Sequence, residues 1–323
     1  KMGKVYKEEK YDGSNNLYHR AFTKWQEYDL GNDRDFVAKI GATDLRYDGD
    51  SDHKDIAQEW VYSTAAGNLA TTTQWGEVTA ATTAYDFSDT GSDKRTTVTS
   101  YAAKSGEETA FKSTETRYDQ DGTTKVREDR FYYDSLSLGS VDKGNETKHE
   151  FWVSGSTYID TEKTYNSYGL VTQGKDPRDK ATNFTYDSYN LNIATTTNPL
   201  SHVTEVYYDL SSGQAATTTD LNGRVFVTVF DALDRPLTQK EPDHTTPSTL
   251  VTVLEKEYTD TVGSRRVKDT AYLNSATSTE SYTYLDGSDR IIQKRVEAEG
   301  TNTYAATDFT YDALGRLKKE GLP

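Results

Sequence analysis

A short acidic segment is the part of this sequence whose residue types could bind a metal ion. Asp48, Asp50 and Asp52 alternate along the chain, and Glu59 follows eleven positions after Asp48. Carboxylates at positions 1, 3, 5 and 12 are the side-chain ligands of an EF-hand calcium loop. His53 stands where such a loop has glycine, and no helical pattern flanks the segment. The sequence therefore predicts either a looser calcium site or a solvated acidic turn, and calcium is the only cofactor it suggests.

Other side chains that could catalyse a reaction are plentiful, but their spacing does not indicate an active site. Two carboxylates about 5–10 Å apart can hydrolyse a glycosidic bond. The aspartates that follow aromatic residues instead recur at equivalent turn positions, where carboxylates cap the backbone; they are Asp187, Asp209, Asp231 and Asp312. The five histidines are scattered in polar surroundings, without a His-x-x-x-His pair or a Gly-x-Ser-x-Gly elbow. We expect no catalytic residues and no enzymatic activity.

The four tryptophans offer a binding chemistry of a different kind. Trp25, Trp60, Trp75 and Trp152 all fall in the first half of the chain. An exposed indole beside Asp, Asn or Gln can stack on a sugar ring, whereas a covered one fills a gap between strands. The first alternative predicts an extracellular adhesion or glycan-binding module, and the second a purely structural role.

A repeat of 22 residues organises the second half of the chain. Three stretches superimpose at this step: 176–187, 198–209 and 220–231. Each begins with a turn-forming Asp or Asn and ends with an aromatic residue followed by Asp. A repeat of this length indicates one supersecondary unit stacked many times. We therefore expect a scaffold whose function depends on the surface it builds.

The segments between the turns have the composition of β-strands. Val203–Tyr208 and Val225–Phe230 are rich in β-branched and aromatic residues, which strands prefer. Phe184 and Tyr186 are two residues apart, so both rings lie on one face of a strand. A turn about every 11 residues leaves strands of roughly seven residues. The predicted fold class is all-β, a succession of antiparallel hairpins with a thin, tyrosine-based apolar layer and no conventional core.

Composition limits the partners of such a protein. The chain has 323 residues, a net charge of −15, 24 tyrosines and no cysteine. The acidic balance makes nucleic acid an unsuitable partner, because phosphate binding needs clustered Lys and Arg. No apolar run is long enough for insertion into a membrane. Disulfides and thiolate chemistry are excluded together.

Regularity divides the chain into two parts. Residues 1–152 contain Tyr-Asp pairs at uneven spacing, which predicts a degenerate β region with longer loops. Residues 153–323 carry the regular repeat. A stacked array has no natural break, so we expect one continuous array; the alternative is a separate N-terminal module up to about residue 152.

The repeat resembles a known pattern. Tyr311-Asp312-Ala313-Leu314-Gly315-Arg316-Leu317 is similar to the YD repeat, also called the RHS repeat. The segment 230–237 resembles it with Phe for Tyr and Asp for Gly, and 186–191 places Asn where Gly usually stands. Asn198-Pro199-Leu200 resembles the linking half of the repeat. The resemblance is strong from about residue 165 to 243 and again at residues 311–317.

The resemblance implies a spiralling antiparallel sheet that forms an open or partial shell. Members of this family include bacterial polymorphic toxins, insecticidal toxin complexes, wall-associated proteins and teneurins. It implies a secreted or cell-surface protein whose partner is an enclosed or attached polypeptide domain of the same parent protein. Glycans or a neighbouring cell surface are the alternative partners, as in an adhesion module.

Overall fold

The chain folds entirely into β-strands. The computed structural model describes residues 3–31, 34–48, 52–274, 276–300 and 303–321, and it contains 24 strands and no helix in those ranges. No segment of this described part is a helix that could cross a bilayer. The chain divides into two compact units, residues 1–181 and 182–323. The all-β, hairpin-based fold class predicted from the sequence is confirmed.

Unit 1 has its longest strands near its beginning, after a short first strand. Its strands are β1 (Lys7–Tyr11), β2 (Leu17–Asp29), β3 (Asp35–Tyr47), β4 (His53–Tyr62), β5 (Leu69–Ala80), β6 (Phe87–Asp89), β7 (Arg95–Lys104), β8 (Glu107–Tyr118), β9 (Lys125–Tyr133), β10 (Glu146–Ser154), β11 (Thr157–Tyr165) and β12 (Val171–Lys175). Each strand pairs antiparallel with its neighbour in sequence, except that β6 and β7 both pair with β5.

Unit 2 is a more regular succession of hairpins. Its strands are β13 (Ala181–Tyr186), β14 (Ile193–Thr197), β15 (Val203–Tyr208), β16 (Ala215–Thr219), β17 (Val225–Phe230), β18 (Pro236–Pro242), β19 (Leu250–Thr259), β20 (Arg266–Asn274), β21 (Thr277–Leu285), β22 (Ile291–Glu297), β23 (Tyr304–Tyr311) and β24 (Leu317–Glu320). Every strand pairs antiparallel with the next one in sequence. From β18 to β23 the strands are longer, at 7 to 10 residues, and the hairpin architecture continues.

Unit 1 contains a small apolar core, which the sequence pattern did not predict. Phe22, Leu45 and Ala57 are at most 2% exposed and pack with Val78 and Ala80. Strands β2 to β5 each contribute at least one of these residues. A second cluster joins Ala102, Tyr133 and Val141. The residues come from positions far apart in the sequence, so no local periodicity reveals them.

Unit 2 matches the prediction of a thin apolar layer. None of its described residues is fully buried. Along β15, Thr204, Val206 and Tyr208 are half-buried and the residues between them are exposed. Val206 lies opposite Thr218, which lies opposite Phe226. Such rows of cross-strand neighbours cover one another and stabilise a sheet by about 0.2–1 kcal/mol per pair.

Candidate functional surface

The repeat turns are built around one aspartate each. In the turn after β17, the Asp231 Oδ1 atom accepts hydrogen bonds from the N–H groups of Leu233 (2.8 Å) and Arg235 (2.9 Å). The backbone closes with the Asp234 N–H donating to the Asp231 carbonyl oxygen at 3.0 Å. The same bonds from the second and fourth following residues recur at Asp176, Asp187, Asn198, Asp220, Asp286 and Asp312. Turn capping, predicted from the sequence, is confirmed.

In most of these turns the third residue after the capping aspartate takes the left-handed conformation; after Asp209 it is the fourth, Gly213. Gly315 has φ of 77°, as the motif predicts, and costs little there because it has no Cβ. Asp234 and Asp289 take φ of 60° at the equivalent position, and Asn190 takes 56°. Asp and Asn tolerate this region better than other side chains. The departures from glycine in the repeat therefore preserve the turn.

An arginine at the end of the turn neutralises the capping carboxylate. The Arg235 Nε atom donates to Asp231 Oδ2 at 2.8 Å, and the Arg290 and Arg316 Nε atoms do the same to Asp286 and Asp312 at 2.7 and 2.8 Å. The sequence places these arginines four residues after the aspartates, but that they pair with the aspartates is apparent only from the turn geometry. We call each pair an arginine clamp. This pairing is a functional feature that sequence reasoning missed.

The arginines and tyrosines also couple neighbouring strands. The Arg235 guanidinium lies 4.1 Å from the ring centre of Tyr258, and Arg290 lies 4.9 Å from that of Tyr311. The Tyr258 hydroxyl donates to the Pro236 carbonyl oxygen at 2.9 Å. Tyr101, Tyr165 and Tyr311 likewise donate to the first residue of the strand paired before them, at Leu69, Glu146 and Ile291. At these four places a tyrosine ties its strand to the one paired before it.

The turn carboxylates are held in their ionised form. Backbone N–H groups and the Arg235 guanidinium lower the pKa of Asp231 below its usual 3.8. The Arg178 guanidinium and the Lys180 N–H lower the pKa of Asp176 to about 2. The pKa values of Asp187, Asp209, Asp220, Asp286 and Asp312 are lowered by the same kinds of bond. The carboxylates therefore serve as charged caps at neutral pH and not as proton donors.

A polar network on β9 to β11, away from the turns, also contains a carboxylate whose pKa is lowered by hydrogen-bond donors. Burial alone would raise the pKa of Glu128, yet hydrogen bonds from Tyr158, Lys125 and Arg130 outweigh it and lower that pKa to about 2. The Tyr158 hydroxyl and the Arg130 Nε atom lie 2.7 and 2.6 Å from Glu128 Oε1. A buried charge with this many donors is a satisfied structural group.

The predicted calcium ligands are only partly brought together. Asp48 and Asp52 line one cavity of about 680 Å³, together with His53 and Asp55. Asp50 lies outside the described residues. Glu59 lies on the extended strand β4, about 23 Å along the chain from Asp52 at roughly 3.3 Å per residue. In the described part of the chain, no three His, Asp or Glu side chains are grouped closely enough to hold a metal ion. The calcium loop stays a prediction.

Glu59 has a different role in the structure. Its Oε2 atom accepts the Trp75 Nε1–H at 3.0 Å and its Oε1 atom accepts the Tyr85 hydroxyl at 2.9 Å. Burial and the Glu59 carboxylate together raise the pKa of Tyr85 well above its usual value. The Tyr85 ring packs directly over Gly41, where a Cβ would meet it at 2.4 Å. Glu59 therefore anchors two aromatic rings against the core of unit 1.

The tryptophan rings are half-buried, and each carries a lysine over its face. The ammonium-to-centroid distances are 5.2, 5.0, 5.0 and 4.8 Å for the pairs Lys4–Trp25, Lys39–Trp60, Lys94–Trp75 and Lys125–Trp152. A sugar ring that stacked on the face covered by the lysine would have to displace it. The arrangement favours a structural role for these residues.

Two histidines of unit 1 lie beside aspartates that are almost fully buried. His53 Nδ1 is 2.5 Å from Asp55, which also accepts the Ala80 N–H at 2.8 Å. His149 Nε2 is 3.2 Å from Asp129, and the His149 ring is stacked on Phe131 with centroids 4.4 Å apart. These contacts orient the imidazoles within the sheet and satisfy carboxylates that are almost fully buried.

Comparison with solved structures identifies the fold. The chain matches the crystal structures of TcdB2-TccC3 without its hypervariable C-terminal region (TM-score 0.65, 10% identity), of TcdB2-TccC3 (0.65, 10%) and of TcdB2-TccC3-Cdc42 (0.67, 9%). The matches cover 98%, 98% and 99% of this chain, and 25%, 23% and 25% of the solved chains. This chain thus spans about a quarter of their length. At such low identity the likeness shows the fold alone.

Comparison of the sequence with known families and proteins finds no match. No protein-family model matches it, and none of the curated proteins does. The resemblance to the YD repeat therefore depends on the motifs and on the fold.

Proposed function

We propose that this chain is a wall segment of a YD-repeat shell, without catalytic activity, in a larger secreted or surface protein. Its function is to enclose or display another polypeptide, such as a toxin domain of the same parent protein. The observation that carries the proposal is the likeness to TcdB2-TccC3 over 98% of this chain. One of those structures is described as lacking a hypervariable C-terminal region, which is consistent with a wall and a variable guest as separate parts.

The chemistry of the sheet supports a passive wall. Capping aspartates, arginine clamps and tyrosine hydroxyls are all used within the repeats. A group that holds its own backbone in this way is not available to bind or transform a substrate. Function is left to the other side chains, on the strands and in the turns.

The proposal is tested by protease protection in the parent protein. We expect limited proteolysis with mass spectrometry to recover a polypeptide that is resistant in the parent and cleaved rapidly when produced alone. A variant with Asp187, Asp231 and Asp312 replaced by alanine should lose this protection, because three turns of the wall lose their caps. The matched control is Asp234→Gly, which keeps the turn. Equal cleavage of the polypeptide inside and outside the parent would exclude enclosure.

The adhesion alternative has less support. Lysines over all four described tryptophan rings compete with sugar stacking. A glycan array with Trp152→Ala as control separates the two functions, since a passive wall gives no signal that depends on this residue.

A further inference from the structure

Six turns of unit 2 form a row along one edge of its sheet. Consecutive strands are antiparallel, so the turns that follow β13, β15, β17, β19, β21 and β23 lie at the same strand ends. Strands are about 4.8 Å apart, which places neighbouring turns about 10 Å apart in a row of about 50 Å. We call this row the turn rim; it comprises residues 187–192, 209–214, 231–235, 260–265, 286–290 and 312–316.

Five of the six turns in the rim present a large apolar side chain to solvent. Their exposures run from 61% to 96%: Tyr189 61%, Leu191 75%, Leu210 63%, Leu233 68%, Val262 96% and Leu314 78%. The turn does not require them. Leu233 and Leu314 contribute only an N–H to the capping aspartate, and Ser288 makes the same bond at the equivalent position. Because the turn does not need them, a row of such side chains in five of six turns is a candidate interaction surface.

The rim is also held in a fixed shape. The Gln214 side chain donates to the Asp234 carbonyl oxygen of the next turn at 2.6 Å, and the Arg235 guanidinium lies 3.0 Å from Asp260 in the turn after that. Arg265 pairs with Asp289 one turn further on. These bonds join the four central turns of the rim, so the backbone that carries Leu210, Leu233 and Val262 is already ordered. Binding to them costs less conformational entropy than binding to free loops.

Charge selects the partner. Aspartates outnumber arginines eight to four in the rim, and it contains no lysine or glutamate. A second copy of the rim would bring the same negative excess and be repelled. We propose that the turn rim docks a polypeptide segment whose apolar side chains are about 10 Å apart and flanked by lysine or arginine. Every seventh residue of a helix has this spacing, at about 1.5 Å per residue. This docking goes beyond the proposed role as a wall.

The test uses the whole chain and a synthetic helical peptide with leucine at every seventh position and flanking lysines. We expect fluorescence anisotropy to detect binding that weakens about 10–100-fold in the L210S/L233S/L314S variant, since three leucines no longer bury apolar surface against the peptide and burial at a turn is incomplete. Charge is unchanged in this variant, so non-specific attraction of a basic peptide to an acidic protein remains. The same leucine pattern with glutamates in place of lysines should not bind.

The matched control lies on the opposite edge of the same sheet. Leu200 and Leu221, 75% and 50% exposed, are in turns that follow even-numbered strands. L200S/L221S should bind the peptide like the unsubstituted chain. Near-ultraviolet circular dichroism checks that both variants fold, and Leu233→Ser alone gives a second, milder variant. The proposal is overturned if the triple variant binds equally well, if the glutamate peptide binds as tightly, or if L200S/L221S weakens binding to the same extent.

Discussion

At the residue scale, one carboxylate caps each turn. Only some of the hydrogen bonds and contacts around it can be predicted from the sequence. Tyr-Asp followed by Gly predicts both the cap at Asp312 and the positive φ at Gly315, because these depend on neighbouring residues. The clamp by Arg316 depends on the same local geometry. The contact of Arg290 with Tyr311 does not, since the two lie on different repeats and meet only when the strands pair.

Replacing one cap tests its contribution. We expect Asp231→Ala to lower the melting temperature by about 2–4 °C, because two N–H donors and the Arg235 guanidinium lose their acceptor. Differential scanning calorimetry measures the change. Asp234→Gly, in the same turn, should leave the melting temperature unchanged or raise it, since glycine takes φ of 60° without strain. An equal loss in both variants would contradict the capping role.

Low pH should lower the free energy of unfolding, because the capping aspartates become protonated over the same pH range. The capping aspartates have pKa values below the 3.8 of the unfolded chain. A carboxylate whose pKa is lowered by folding stabilises the fold above the unfolded pKa, and this contribution disappears as the pH falls through the folded pKa. We therefore expect constant stability from pH 7 to about 5 and a progressive fall from about 4 to 2. Urea unfolding at a series of pH values measures it, and an Asp→Asn variant at several caps should flatten the curve.

At the element scale, the strands are tied in sequence by tyrosine. The alternation of aromatic and β-branched residues predicts these strands, and Tyr258 and Tyr311 end or nearly end theirs, as the repeat requires. Sequence does not predict β6, which shares the edge of β5 with β7. Its three residues are too few to show a pattern, and only the length of β5 makes room for it.

Removing one hydroxyl tests the tie between repeats. We expect Tyr258→Phe to destabilise the protein by about 1 kcal/mol, because the Pro236 carbonyl oxygen loses its donor. Tyr258→Leu should cost more, since the ring under Arg235 is also lost. Urea denaturation provides the measurement. Tyr207→Phe is the control, because that ring is 66% exposed and its replacement should change little.

At the scale of the whole molecule, the two units are stabilised by different means. Unit 1 has a core of side chains from β2 to β5, whereas unit 2 depends on ladder bonds, caps and half-covered rows. The sequence predicts the second kind of stabilisation from its low apolar content. It misses the first because Phe22, Leu45 and Val78 carry no shared local signature and meet only through strand register.

This difference predicts a gradient of protection from hydrogen exchange. We expect the slowest amides in β2 to β5 and faster exchange throughout unit 2, because local opening is easiest where little apolar surface is buried. Leu45→Ala should cost about 2–5 kcal/mol, and Val206→Ala about 1 kcal/mol. Mass spectrometry of deuterated peptides checks the gradient, and equally slow exchange in both units would show that caps and ladders suffice on their own.

The open layer of unit 2 has a consequence for how such chains diverge. Where no side chain is enclosed on all sides, few neighbours must readjust to a substitution. Single substitutions on either face of the sheet are therefore tolerated without compensating changes elsewhere. Only the turns tolerate few substitutions, because they fix the path of the backbone. Homologous chains can therefore differ at nearly every residue between the turns and still keep the same backbone fold.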